Sequence, residues 1–393
     1  MKSRWRWLVL SPVLLLVLSA SLLWLRDRSD PRLEAILDHS RPDAAIDDEV
    51  VLAELPLLDE RAFRKLLREP LRPDGFLADT EMWLRGHLPA SFQDMLPKAN
   101  ARRHERRQKA LRILALLGAD ARPYASQIEV LATNQDFFMA NDANVALVLI
   151  QGAGPESVTN LVRRMSATNP SALVHVAARC AQVGTNSPPV LLPILIDALD
   201  AKSGNDRLTA ARAIARYGSQ ANSAAQQLRR HLGDSAKNVR PSMAFALGSV
   251  APEFADEAVA AMLEQQRTNN SWTGDYAHQL YARLGPAAHA AVPSLETELA
   301  NPVHKMSHGA AAVALWRIRH EVTPVMVEAL AWDIEHGVQR SQRWSLQALA
   351  EIGPPATNAV PALRRMTKHP RVLFRQMAED ALQAITKPSS PAH

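Results

Sequence analysis

Apolar residues recur through most of this chain three and four positions apart, the spacing that gives a helix one buried face. The stretch VPSLETELA, residues 292–300, carries Val292, Leu295 and Leu299 on one side and predicts a short helix. Pro293 suits its first turn, where the missing N–H costs nothing. Asn301-Pro302 then breaks the chain, and KMSHGAAAVALWRI predicts a second helix, Ala-rich with Leu315 and Ile318. After Gly353 the plan returns: PPATNAVPALRRM, a break at His369-Pro370, then FRQMAEDALQAI. Neither helix of such a pair can bury its apolar face alone, so the pairs must stack.

The pairs are punctuated at a fixed interval. Helical runs end in small-residue turns at Gly118, Gly154, Gly184, Gly218, Gly285 and Gly353. Two further turns fall where the interval puts them but lack glycine, at Ala251 and Arg319. The successive gaps are 36, 30, 34, 33, 34, 34 and 34 residues, which is an internal repeat. Residues 101–386 are therefore expected to form an all-α solenoid, a right-handed superhelix of about eight helix pairs. Residues 30–100 fall outside the repeat; acidic residues outnumber basic ones there, with apolar clusters at VVLAELPLL and FLADTEMWLRGHL. They predict a partly helical linker and a cap for the first unit. Residues 387–393, KPSSPAH, predict a disordered tail.

One run has no polar face. Trp7 to Leu25, WLVLSPVLLLVLSASLLWL, holds nineteen residues without a charge. At about 1.5 Å per residue it spans roughly 28 Å, the hydrocarbon thickness of a bilayer. Trp5, Trp7 and Trp24 flank it at interfacial depth. Residues 1–29 read as a single-pass anchor, or as a signal segment cut near Ser19-Ala20-Ser21. Both alternatives export the body to the periplasmic or extracellular side, leaving it membrane-anchored in the first and soluble in the second.

Charge narrows the function classes. The whole chain is +5, with a pI near 9.5. Five of the 45 basic and two of the 40 acidic residues lie in the first thirty, leaving 40 against 38. A nearly neutral body lacks the broad footprint of a nucleic-acid binder, and no nucleic-acid partner is expected. Cys180 is the single cysteine, which excludes an internal disulfide and a multi-cysteine zinc site.

A 34-residue period also fits tetratricopeptide units, but those place large aromatics where this chain has alanine. The motifs instead resemble short HEAT repeats of the phycobilisome-lyase-like kind. The resemblance rests on Pro293-Ser-Leu295 and Pro361-Ala-Leu363, on Asp234 followed by Val239-Arg240 and Ala246-Leu247-Gly248, and on Ala348-Leu349-Ala-Glu-Ile352-Gly353. It covers about residues 105–386. It implies a structural ladder in which a basic residue of each second helix pairs with an Asp of a neighbouring turn. The matching positions here are Arg107, Arg207, Arg240, His308, Arg343 and Arg375, with Asp206 and Asp234 as partners. Leu173 and Gly274 interrupt the series. Some relatives of that kind act on bilin chromophores, which makes a lyase-like enzyme the alternative to a binding scaffold.

Signatures of catalysis are missing: there is no GxSxG, SxxK, Walker loop or CxxC. The basic run ARRHERRQKALR, residues 101–112, reads as the solvated face of a helix. His304 and His308 stand one helical turn apart, but no third metal ligand accompanies them. No catalytic residue, metal, cofactor or small-molecule substrate is expected. The expected function is a scaffold that binds another protein through its concave surface, with Trp272, Tyr276, His304, Trp316 and Trp344 as candidate contacts.

Overall fold

The computed structural model describes Val51, residues 65–66, and residues 99–386 apart from 134–136, 166–169, 184–186, 269–273, 302 and 304. The apolar run 7–25, nearly all of the segment 30–100 and the tail 387–393 lie outside the described residues, as do Trp272 and His304. Among the described residues every regular element is helical. None of these helices is long and apolar enough to cross a membrane.

The helices alternate between two layers. One layer holds α1 (Ala99–Leu117), α3 (Phe137–Ile150), α5 (Pro170–Gln182), α7 (Gly204–Ile214), α9 (Arg240–Val250), α11 (Gly274–Leu284), α13 (Lys305–Arg319), α15 (Gln339–Ile352) and α17 (Val372–Thr386). Each packs directly on the next member of this row. The other layer holds α2 (Ala125–Ala132), α4 (Pro155–Met165), α6 (Leu192–Asp197), α8 (Ala225–Arg230), α10 (Ala255–Thr268), α12 (Val292–Ala300), α14 (Pro324–His336) and α16 (Val360–Met366). Each of these packs on the row helix that follows it. The helix expected at 292–300 is α12, bound for bound.

Alanine explains the close spacing of the row. Ala210, Ala211 and Ala213 of α7, Ala244 and Ala246 of α9, and Ala311, Ala312 and Ala314 of α13 are all buried. Their small side chains let neighbouring axes approach, while Leu228, Met262, Leu295 and Leu330 of the other layer fill the space beneath. Helices of this second layer are also tied to their neighbours by ion pairs, Arg229 to Glu257 and Arg365 to Glu335. Both are largely exposed, so each contributes little to stability. At the N-terminal end of the row, Val51 and Leu66 are fully buried against Ala110 and Ile113 of α1.

The turns repeat in conformation as well as in sequence. Gly118, Gly218, Gly285 and Gly353 all have φ between +52° and +68°. A Cβ on each would lie 3.8, 3.9, 3.2 and 3.7 Å from the carbonyl oxygen of Leu149, Ser249, Arg317 and Ala384 respectively. Every one of those carbonyls ends the next row helix, so each turn rests on the following unit in the same register. Gly285 has both the left-handed φ and the tightest contact, which is why glycine is needed there. Two expectations shift by a residue or two. The turn assigned to Gly154 is made by Gly152 and Ala153, with φ of +91° and +47°. The turn assigned to Arg319 is made by His320, with φ of +56°. At Ala251 the chain turns through a residue with φ of −139° followed by Pro252, so no glycine is required.

A buried acid lies between α13, α14 and α15. Asp333 has no exposed surface and accepts hydrogen bonds from Ser341 Oγ (2.8 Å) and Ser345 Oγ (2.6 Å). Burial pushes its carboxyl above the ordinary Asp range, although the two hydroxyls oppose the shift. A folded-state value above the unfolded one means that protonated Asp333 favours the fold. Its contribution is complete below the unfolded value near pH 4 and is lost as pH rises through the folded value. Asp333→Asn, neutral throughout, is expected to remove this term. Between pH 4 and 8 the wild type should lose stability relative to the variant as pH rises. Parallel melting curves across that range would contradict the assignment.

Candidate functional site

The row helices share one face. Tyr276, Gln279 and Arg283 lie three and four residues apart on α11, as do Ala310, Val313 and Arg317 on α13 and Arg340, Trp344 and Gln347 on α15. With Arg212 of α7, Phe245 of α9 and Gln182 at the end of α5, they line a single groove of about 850 Å³. Six consecutive row helices contribute to it.

Five of its lining residues are arginines, and none is Asp or Glu. Arg216 donates from Nε to the Ala181 carbonyl at 2.9 Å, and Arg283 donates to the Ala215 carbonyl at 3.2 Å. Those oxygens end the helices α5 and α7, where carbonyls lack intrahelical partners. Burial draws Arg283 below the usual arginine range, since its guanidinium is partly stripped of water. Arg212 lies 5.1 Å over the Tyr276 ring and reaches Ser242 Oγ at 3.4 Å. Arg317 lies 4.6 Å from the Trp316 ring centroid and pairs with Glu351 at 2.5 Å. Arg340 is half-buried and has no hydrogen-bond or ion-pair partner among the described residues. Phe245 and Tyr276 meet edge to face, with centroids 5.6 Å apart.

The candidate contacts divide between this groove and the interior. Tyr276 and Trp344 line the groove. Trp316 does not: it is 8% exposed and belongs to the core beneath α13, with its ring edge on His320. Trp272 and His304 lie outside the described residues. The row of arginines itself was not foreseen. Its signal is nonetheless periodic, because Arg216, Arg283 and Arg317 each stand two residues before their landmark turns.

One of the ladder positions makes the pairing the resemblance implies, and four of them share a further contact. Arg207 alone of those with a described hydrogen bond reaches a carboxylate, clamping Asp234 through Nε and Nη2 at 2.7 Å each. It also donates to the carbonyls of Ala201 and Lys202. Arg240 donates to the Asp234 carbonyl, Arg375 to those of His369 and Pro370, and His308 bonds the Asn301 carbonyl at 2.8 Å. In each case the basic side chain folds back five to seven residues onto the break before its own helix. Its recurring task is to satisfy carbonyls at the end of the preceding element. Arg107 and Arg343 are half-buried. Asp206 is reached from the unit in which Leu173 holds the basic position, by Ser171 Oγ at 2.5 Å. A hydroxyl two residues earlier thus makes the inter-unit link there.

Among the described residues no group of three or more His, Cys, Asp or Glu is placed to hold a metal ion. Cys180 is fully buried, and desolvation pushes its thiol up to about 12, which leaves it unreactive. No protein-family model matches this chain, and no curated protein matches it either.

Proposed function

We propose that this chain is a membrane-anchored HEAT-like scaffold that binds another protein through the inner surface of its helix row. The two-layer order of helix pairs, with the turns at Gly118, Gly218, Gly285 and Gly353 seated on the next unit, supports a right-handed α-solenoid. Such a stack is curved, and its row helices line the concave side. The observation that carries the reading is the groove shared by six successive row helices, rich in arginine and aromatic side chains of the kind that dominate protein interfaces. Its lining favours binding over turnover: guanidinium, amide, aromatic and methyl groups surround one histidine, His278, whose Nε2 is occupied by Glu298 at 2.8 Å. Burial of Val51 and Leu66 on α1 supports a cap over the first unit.

The uncharged run 7–25 supports an anchor, and the basic residues before it support translocation of the body. In intact cells with a permeabilised outer barrier, added protease should digest the body, while alkaline carbonate should leave the chain in the membrane pellet. A body protected from protease would refute the exported location. For binding, a photo-crosslinking residue at Gln279 in the groove should form one discrete protein adduct that Arg340→Glu abolishes. The same residue at the exposed outer-layer position Val130 should form none. Equal adducts from both positions would refute the groove as the binding surface.

A further inference from the structure

We propose that the groove takes an extended acidic polypeptide segment whose carboxylates are spaced to meet the arginines of successive units, with an apolar residue between them at the Phe245–Tyr276 pair. This rests on the binding reading above and adds the chemistry of the partner.

The spacing comes from the row. Packed helices lie roughly 8–10 Å apart, and an extended chain advances about 3.3 Å per residue. One helix step is therefore about three residues of an extended segment. Arginines face the groove from α7, α11, α13 and α15, while α9 contributes Phe245. The guanidinium groups set the register: Arg216 reaches the end of α5 and Arg283 the end of α7, one step apart. A matching segment has acids about three positions apart for these two, an apolar residue about three beyond at Phe245 of α9, and acids about six and nine beyond that for Arg317 of α13 and Arg340 of α15. Gln182 and Gln279 make no side-chain hydrogen bond among the described residues, and each can both donate to and accept from a peptide unit.

Charge distribution favours a peptide over a nucleic acid. The body outside the first thirty residues is nearly neutral, so the basic groove is a local feature and not part of a basic surface. Arg212, Arg216 and Arg283 already spend donors or ring contacts on the protein. What remains is about one cationic position per helix step, too sparse to follow a phosphate backbone. Glu351 already occupies Arg317 from the groove margin, where Gln347 also binds it at 2.9 Å. An incoming carboxylate must compete with Glu351, which makes that residue a built-in restraint on affinity.

The test uses the full chain in nanodiscs of neutral lipid and a labelled peptide of about 16 residues with blocked ends. The peptide carries Glu at about positions 1, 4, 13 and 16, Leu at about 7, and Ala or Ser elsewhere. Anisotropy at physiological salt should report binding that falls at least about tenfold when the four Glu become Gln, as expected for charge-assisted contacts. Arg340→Gln should weaken binding several-fold. Glu351→Gln should tighten it several-fold, a gain that misfolding cannot produce. No binding of the acidic peptide at millimolar concentration would overturn the proposal, as would an unchanged affinity in Glu351→Gln. Tighter binding of a 13-nucleotide thymidine strand than of the peptide would also overturn it, in favour of a nucleic acid. Equal binding of the Gln peptide would overturn the acidic specificity while leaving the groove as a protein-binding surface. Loss of the Gln279 crosslinks described above would instead remove the binding reading itself.

Discussion

Asp234→Ala is expected to destabilise the junction between α7 and α9 by about 3–5 kcal/mol, the cost of leaving one partner of a buried ion pair without the other. Asp234 is 5% exposed and the Arg207 side chain 11%, so solvent screens the pair little. The carboxylate also accepts the Ala236 N–H at 2.8 Å and faces His231 Nδ1 at 3.3 Å. Removing it strands a guanidinium against α7 and unfastens the turn that starts α9. A repeat array need not unfold in one step, so global melting would blur the effect. Native-state hydrogen exchange localises it: amides of α7 and α9 should lose roughly 150- to 5,000-fold of protection, with α1 and α17 unchanged. Uniform loss along the row, or none, would show that the pair does not fasten this junction.

The same pair sets an acid response. The Arg207 guanidinium, followed by the Ala236 N–H, holds Asp234 below the ordinary Asp range against the opposing effect of burial. A depressed folded-state value contributes stability above the unfolded value near 4, and that stability is lost as pH falls through the folded value. Asp234 and Asp333 therefore respond oppositely. Acid loosens the α7–α9 junction while protonation relieves the site between α13, α14 and α15.

The second large effect is expected at Gly248 and Leu280. Gly248 lies in α9, where a Cβ would fall 2.5 Å from Leu280 Cδ1, 3.3 Å from Ala258 Cβ and 3.4 Å from Leu284 Cδ1. Leu280 is fully buried. Leu280→Ala alone should cost about 2–5 kcal/mol, as truncations that leave a cavity do. Gly248→Ala alone gains about 1 kcal/mol of helix propensity and loses about 1–3 kcal/mol to overpacking. Together the changes should be sub-additive, because the new methyl enters the space the leucine vacates. The double variant should be more stable than Leu280→Ala by about 1–2 kcal/mol. Strict additivity in α9 and α11 exchange would mean that the two side chains do not share that space.

What could be read from residue order, and what could not, follows from where each signal lies. The turns at Gly118, Gly218, Gly285 and Gly353 were legible because a left-handed residue leaves glycine in the sequence. Their equivalents at Ala153 and His320 displaced the reading by one residue, since the glycine signal is weaker or missing there. Asp234 was named as a ladder partner and Arg207 binds it, but the backbone acceptors at Arg207, Arg240, His308 and Arg375 were not foreseen. Backbone carbonyls exist at every residue and carry no mark in the sequence, so a bond such as Arg375 to the Pro370 carbonyl is silent until the chain is folded. The groove was hidden for a different reason. Net charge sums over all faces, and the acids that balance the arginines include Glu257, Glu296 and Glu335 of the second layer. A neutral total therefore concealed a basic face on the row helices.

Arg283 reaches past α9 to the Ala215 carbonyl at the end of α7, tying helices that are not neighbours in the row. Contacts between adjacent units alone would let the row flex like a spring, each joint yielding a little. A strut across two joints resists that flexing, because spreading α7 from α11 would strand a partly desolvated cation and a helix-end oxygen together. The middle of the helix row should then be stiff, and compliance should be greater towards α1 and α17.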